Sequence, residues 1–418
     1  MKKMLFLFAA VFFAACDNGE NEVDPNGKLP LKDPINIELS SVETRMAEEG
    51  QVFGMDFLAA ALAEESDKEN VVISPLSLNM ALAMVWNGAA GETRTAIQEA
   101  MGMSNYQVEE VNAYFKKMKE ALLETDPSTQ LALANSIWAR EGFPFKESFF
   151  EINRQWYDAK VSELDFADPK SVEIINQWCS DNTNGLIDKM IESIPDDLVM
   201  YLMNALYFKG TWSEGYGFVK SDTKDADFQK ESGETVKVKM MGQMSQQPYY
   251  ADENLSLTSL PYGNGAFRMV FVLPQHNVSF VTMIERLQTP DYLINCLNSA
   301  VMRDVNLFVP RFKIEYEIDL VKPLKRLGVG VAFEPFVADF SEMSDMLLYI
   351  SEAKQKIYIE VNEEGTEAAA VTSIGISFSS VGPPQPVMFT ADRPFLFLIQ
   401  EKSSGAVLFT GKIGNAAE

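Results

Sequence analysis

Residues 361–391 read VNEEGTEAAAVTSIGISFSSVGPPQPVMFTA. No residue from Ala368 to Ala391 is charged, and no proline interrupts Gly365 to Ser380. Every backbone N–H in that stretch is therefore free to join a ladder. In an extended chain Thr366, Ala368, Ala370, Thr372, Ile374 and Ile376 share one face, small or apolar and rich in β-branching. Glu367, Ala369, Val371, Ser373, Gly375 and Ser377 share the other, which is mostly small or polar. This is the pattern of a half-buried strand. Yet Pro383, Pro384 and Pro386 follow, and these belong to exposed, extended chain. About thirty residues separate the strand ending at Asn362 from the one starting at Phe395, a length that inside a compact domain is functional or disordered. Two readings stand: a permanent strand of a sheet, or a strand-competent segment held out in solvent.

The rest of the chain frames that segment. Phe53, Phe57, Leu58, Ala61 and Leu62 recur at helical spacing. Ser74-Pro75 starts a second helix, serine as cap and proline in the first turn, with an apolar body from Leu76 to Trp86. Leu131 to Trp138 alternates like a strand, and Tyr201 to Phe208 reads as a buried one. Strands prevail from Val236 onward, at 236–240, 257–260, 269–273 and 305–309. Ile357, Ile359 and Val361 then line one face of 356–362. A hairpin closes the chain: 395–399, a turn at 402–405, and 406–410. With no repeat and no linker after residue 40, the pattern predicts one large α+β domain, helices early and sheets late.

Composition limits the partners. The chain of 418 residues is 47% hydrophobic, enough for a sizeable core, and carries 60 acidic against 35 basic residues, a formal charge of −25. Nucleic acid is excluded as a partner, because phosphate neutralisation needs clustered Lys and Arg. Lys2-Lys3, the apolar run Met4 to Ala15 and then Cys16 resemble a bacterial lipoprotein signal, in which cleavage leaves the cysteine lipidated. The run is too short to span a bilayer as a helix. Residues 1–15 are thus expected to be a signal peptide, and 16–40 a lipidated, acidic, flexible tether. A domain from 41 to 418 follows. The expected location is a Gram-negative outer membrane, outer surface included, or the medium if Cys16 is not modified. Cys179 and Cys296 lack C-x-x-C spacing and read as two buried thiols; no metal site or cofactor motif is legible.

Several segments carry a family resemblance. The stretch 361–370 resembles the hinge of an inhibitory serpin. Residues 204–212 (NALYFKGTW) resemble that family's central strand, and 70–77 (NVVISPLS) the helix beneath it. Leu260-Pro261-Tyr262, Leu273-Pro274 and 392–397 (DRPFLF) match further segments, all in family order from about residue 45 to Gly414. The resemblance implies a fold of three β-sheets with about nine helices and an exposed reactive loop over about 363–393. It implies serine proteases as partners, a covalent acyl complex, and insertion of the cut loop into the main sheet as an extra strand. A monomer is the expectation, with loop-exchange polymers as the family's alternative state.

By the same resemblance Glu363, Gly365, Thr366, Glu367, Ala368, Ala369 and Ala370 form the hinge, with Thr366 the first to enter. Glu363 is expected to pair with Arg311, with Trp212 packed beside them, as a breach. Ser74, Ser77, Asn204 and Gln355 form a shutter. Gln355 stands where the family usually has a histidine, and is expected to keep the hydrogen bond to Asn204. Hinge length places the reactive bond at Ser379–Ser380, with Phe378–Ser379 and Ser380–Val381 as neighbours. A small residue before the cut suits elastase-like or subtilisin-like proteases, and Phe378 suits chymotrypsin-like ones; the absence of Lys and Arg from 368 to 391 argues against trypsin-like targets. A dozen ladder bonds at about 0.5–1.5 kcal/mol each give an inserted strand on the order of 10 kcal/mol. The uncut form would then be kinetically trapped.

A hydrolase is the first rival reading. His276 is the single histidine, it sits in a turn, and there is no G-x-S-x-G or H-E-x-x-H. No catalytic residue and no turnover are expected. A non-inhibitory serpin, a protease substrate or surface binding lipoprotein, is the second; the hinge composition, with small, uncharged Thr366 and Ala368 to Ala370, argues against it.

Overall fold

The computed structural model describes residues 31–366 and 385–417. Nine α-helices occur among them: α1 (Ser41–Glu64), α2 (Pro75–Trp86), α3 (Gly91–Ala100), α4 (Val108–Glu124), α5 (Glu147–Tyr157), α6 (Lys170–Asn182), α7 (Phe280–Leu287), α8 (Tyr292–Asn298) and α9 (Val321–Arg326). The strands are β1 (Asn70–Ile73), β2 (Gln130–Arg140), β3 (Lys160–Leu164), β4 (Met200–Thr211), β5 (Lys224–Gln229), β6 (Thr235–Ala251), β7 (Leu255–Tyr262) and β8 (Phe267–Pro274). They continue with β9 (Val301–Pro310), β10 (Phe312–Asp319), β11 (Lys354–Val361), β12 (Gly365–Thr366), β13 (Val387–Thr390), β14 (Phe395–Glu401) and β15 (Val407–Ile413). Six helices precede residue 183 and most strands follow residue 200, so the α+β expectation holds.

The helix starts follow from local chemistry. Ser40 caps α1 in a reciprocal box with Glu43, and Ser74 caps α2 ahead of Pro75. The tether was expected to stay flexible as far as Ser40, but it is held sooner. Ile35 N–H donates to the Thr125 carbonyl at 3.4 Å, the Thr125 hydroxyl donates to the Ile35 carbonyl, and Ile37 N–H donates to Ser403 Oγ at 2.9 Å. The buried Ile37 side chain gives the reason: an apolar residue there leaves water for the core. The compact unit accordingly begins at Asp33.

The described strands form three sheets. A nine-stranded one runs β1-β15-β14-β8-β7-β6-β9-β13, with β5 on β6. A four-stranded sheet runs β12-β4-β2-β3, and β10 pairs β11 alone. The closing hairpin β14–β15 is buried along its whole length. Cys179 and Cys296 are buried free thiols, and burial pushes Cys179 up to about 12, so it stays unreactive.

β4 is covered on both sides. Tyr201, Met203 and Ala205 pack with Trp138, Ile175, Trp178 and Cys179 in a small core with α6. Met200, Leu202 and Leu206, on the opposite face, pack against the main core, which includes α2. Among the described residues no ladder joins β4 to β11. Between them lies a cavity of about 300 Å³, lined below by Leu78 and Leu82 of α2 and on its sides by Leu202 and Ile357; Cys179 of α6 also borders it. It forms a slot between the two strands.

A hinge docked on the central strand

β11 ends at Val361, and the chain turns back on itself within four residues. Asn362 N–H donates to the Gly365 carbonyl at 2.9 Å, and Gly365 N–H returns a bond at 3.3 Å. Gly365 and Thr366 then pair antiparallel with Thr211 and Gly210 of β4. The position demands glycine. Gly365 has φ +137°, and a Cβ there would lie 2.3 Å from the Gly210 carbonyl oxygen and 2.7 Å from Thr211 Cα.

Long-range contacts hold this turn. Trp212 N–H donates to the Glu364 carbonyl at 3.0 Å, and Phe218 N–H to the Glu363 carbonyl at 2.9 Å. The Trp212 indole N–H donates to the Asn362 carbonyl at 3.1 Å. The Trp212 ring stacks on Tyr262 at 4.5 Å between centroids. The Tyr262 hydroxyl and Thr366 Oγ1 lie 2.8 Å apart, both residues buried. Burial pushes the Tyr262 phenol far above its usual range, so this contact stays neutral.

One sequence expectation changes here. Thr366 was expected to enter the sheet only after cutting, but in the uncut chain it already pairs with β4. Arg311 does face Glu363, at a loose 3.9 Å, while the carboxylate takes its close bond from Thr223 Oγ1 at 2.7 Å. The Glu363 side chain is only 3% exposed, so the pair is not an ordinary surface salt bridge. Lys220 pairs with the neighbouring Glu364 at 2.6 Å. Tyr262, Thr223 and Lys220 went unassigned from sequence; a tyrosine at the end of a buried strand, needing a partner for its hydroxyl, was the one available signal.

The shutter departs from expectation as well. Gln355 does not bond Asn204. Its Oε1 accepts from Ser74 N–H at 2.8 Å, and its Nε2 donates to the Ser74 carbonyl at 3.0 Å. Ser74 Oγ donates to the Leu408 carbonyl at 2.6 Å and weakly accepts from Ser77 N–H at 3.4 Å. Asn204 instead donates to Asn135 Oδ1 at 2.6 Å, and its own Oδ1 finds no partner. The physical reason is the slot. It separates β4 from β11, so each side chain bonds within its own half. Glu367 to Ala370, the bond candidates Phe378, Ser379 and Ser380, and Cys16 lie outside the described residues. His276 is exposed in the turn after β8.

A hinge folded against one edge of a slot, in a three-sheet domain, defines the class. A family model described as Serpin (serine protease inhibitor) matches residues 48–416. Leukocyte elastase inhibitor of Bos taurus is 34% identical over 90% of this chain and 99% of its own length. The native state of tengpin, a thermophilic serpin, aligns with TM-score 0.80 at 32% identity, covering 92% of this chain and 97% of that one. Human thyroxine-binding globulin aligns with TM-score 0.80 at 27% identity, covering 90% and 100%. The chain belongs to the serpin family. The family and its inhibitor-named relatives support serine protease inhibition as the general role.

Two measurements check this geometry. Gly365→Ala will drive residues 365–366 off β4, raising amide exchange at Thr366 while leaving the β14–β15 amides protected. Gln355→Ala strands the buried Ser74 N–H, while the Ser74 carbonyl keeps its bond from Leu78 N–H, and will lower unfolding free energy in urea by about 1–3 kcal/mol.

Proposed function

We propose that this serpin is a suicide-substrate inhibitor of serine proteases of the elastase-like, subtilisin-like or chymotrypsin-like kind. The protease cuts after Ser379, with Phe378 as the alternative, and is held as an acyl-enzyme while residues from 367 onward enter the slot. The observation that carries the reading is the position of Gly365-Thr366: the loop begins paired to Thr211 and Gly210 of β4, the strand whose earlier part, Met200 to Leu206, borders the cavity. Insertion then continues a ladder that already exists and needs no new nucleus. The residues that follow, Glu367 and Ala368 to Ala370, have one charge to keep on the outer face and little else to desolvate.

A thyroxine-binding member matches the fold equally well, which favours a second reading: a serpin that is cut as a plain substrate or that binds a ligand instead. Mixing with pancreatic elastase and with chymotrypsin separates the two. The inhibitor gives a complex that survives SDS, and intact mass of the released fragment reads the cut site. Thr366→Arg buries a charge beside Tyr262 and will convert inhibitor into substrate, lowering the yield of complex at least about tenfold. Cleaved product alone, from every protease tried, establishes the second reading.

We also propose that Cys16 is lipidated and tethers the domain to a bacterial outer membrane. The run ending in Ala14-Ala15-Cys16 supports this. Membrane fractionation will find the wild type in the outer membrane and Cys16→Ala in the soluble fraction; equal solubility of the two overturns the tether.

A further inference from the structure

The two most exposed large apolar side chains among the described residues are Phe336 (86%) and Leu347 (72%). Val337 (60%), Met346 (54%) and Tyr349 (41%) lie within the same fourteen residues, 336–349. Neither backbone nor packing asks for an aromatic at Phe336. It stands at the third position of a turn, after Pro335, and Val337 N–H closes that turn on the Glu334 carbonyl at 3.2 Å. Its φ is +65°, a left-handed conformation that glycine or asparagine adopts with less strain. Ile350 N–H donates to the Ala332 carbonyl at 2.9 Å, which ties 346–349 to the 3₁₀ turn Val329–Phe333 just ahead of Phe336. Charge marks the same place. The chain carries −25 overall, yet between Asp319 and Glu334 there are three cations, Lys322, Lys325 and Arg326, and no acid. All three are exposed. Lys325 pairs with Glu334 at 2.8 Å, so α9 sets its cations against the turn that carries Phe336; Arg326 pairs with Glu64 at 2.5 Å. An apolar tip flanked by cations suits a lipid headgroup layer, where the side chains reach the acyl boundary and the cations meet phosphate.

The leading segment has the reach to allow this. From Cys16 to Asp33, where the compact unit begins, is seventeen residues, up to about 60 Å of extended chain. A domain of this length is about 55 Å across, so any face can turn to the bilayer. As a flexible coil the same tether spans only about 23 Å on average. It therefore holds the domain at high effective concentration over the surface, where a weak contact is enough. β11 sets the outcome. The apolar tip precedes Lys354 and the hinge follows Val361, with eight strand residues, about 26 Å, between them. A domain resting on this tip presents its hinge away from the bilayer.

We propose that Phe336, Val337 and Leu347, with Lys322 and Lys325, form a contact for the surface of an anionic bilayer that orients the tethered domain with its hinge outward. This rests on the reading of Cys16 as a tether. In the test, the chain beginning at Cys16 is coupled through that thiol to maleimide lipid in vesicles of phosphatidylcholine and phosphatidylglycerol with brominated acyl chains. Cys179 and Cys296 are buried and do not compete. In Phe336→Trp the added indole loses at least about half its emission to the bromines, since a docked apolar face sits about 5–10 Å deep. The parent protein, with its five tryptophans, supplies the baseline. The double variant Lys322→Glu, Lys325→Glu abolishes that quenching and leaves the melting temperature unchanged. Equal emission on brominated and plain vesicles, or quenching that survives the lysine variant, overturns the proposal. So does sedimentation of the uncoupled, reduced chain as a dimer that Phe336→Asp abolishes, because the face then belongs to a second copy. Should Cys16→Ala fractionate like wild type in cells, the tether reading fails by itself, and the coupled vesicles still decide the face.

Discussion

A strand edge inside a protein must find partners for its backbone, and here two such edges face each other across a gap. β4 bonds β2 on one side and β11 bonds β10 on one side; over the described residues they meet only through the hinge turn. Everything else in the site follows from that arrangement. A strand added between them would need a sheet spacing of about 4.8 Å on either side. The hinge sits where it does because Gly365 alone can bring its backbone against Gly210 and Thr211.

The two halves are not held alike. β11 is fixed to the cap of α2 by both amide atoms of Gln355, and that cap is in turn bonded to Leu408 in the closing hairpin. β4 is held differently: its Asn204 donates to Asn135 on β2, its Tyr201 hydroxyl donates to Glu352 ahead of β11 at 3.5 Å, and its outer face packs on α6.

Much of this was legible in the residues. Periodicity located α1, α2, β2, β4 and the closing hairpin, because each is decided by its own apolar pattern. Ser74-Pro75 announced a helix start by capping chemistry alone. The odd composition of 361–391 pointed to a segment with two uses. What could not be read is who bonds whom across the fold. Gln355 was assigned to Asn204, yet it turns to Ser74 because the slot lies between the two strands. Thr366 was placed outside the sheet, yet Tyr262, more than a hundred positions earlier, supplies the hydroxyl that holds it in. Such pairings depend on packing between distant elements, which no local pattern encodes.

The strap at Ile35–Ile37 has a mechanical consequence. Any pull on the residues ahead of it is met first by Thr125, at the end of α4, and by Ser403, in the turn of the final hairpin. That hairpin is the most deeply enclosed pair of strands in the molecule. Tension from the leading segment would thus be met at the end of α4 and at the turn of the closing hairpin, both remote in sequence from the hinge.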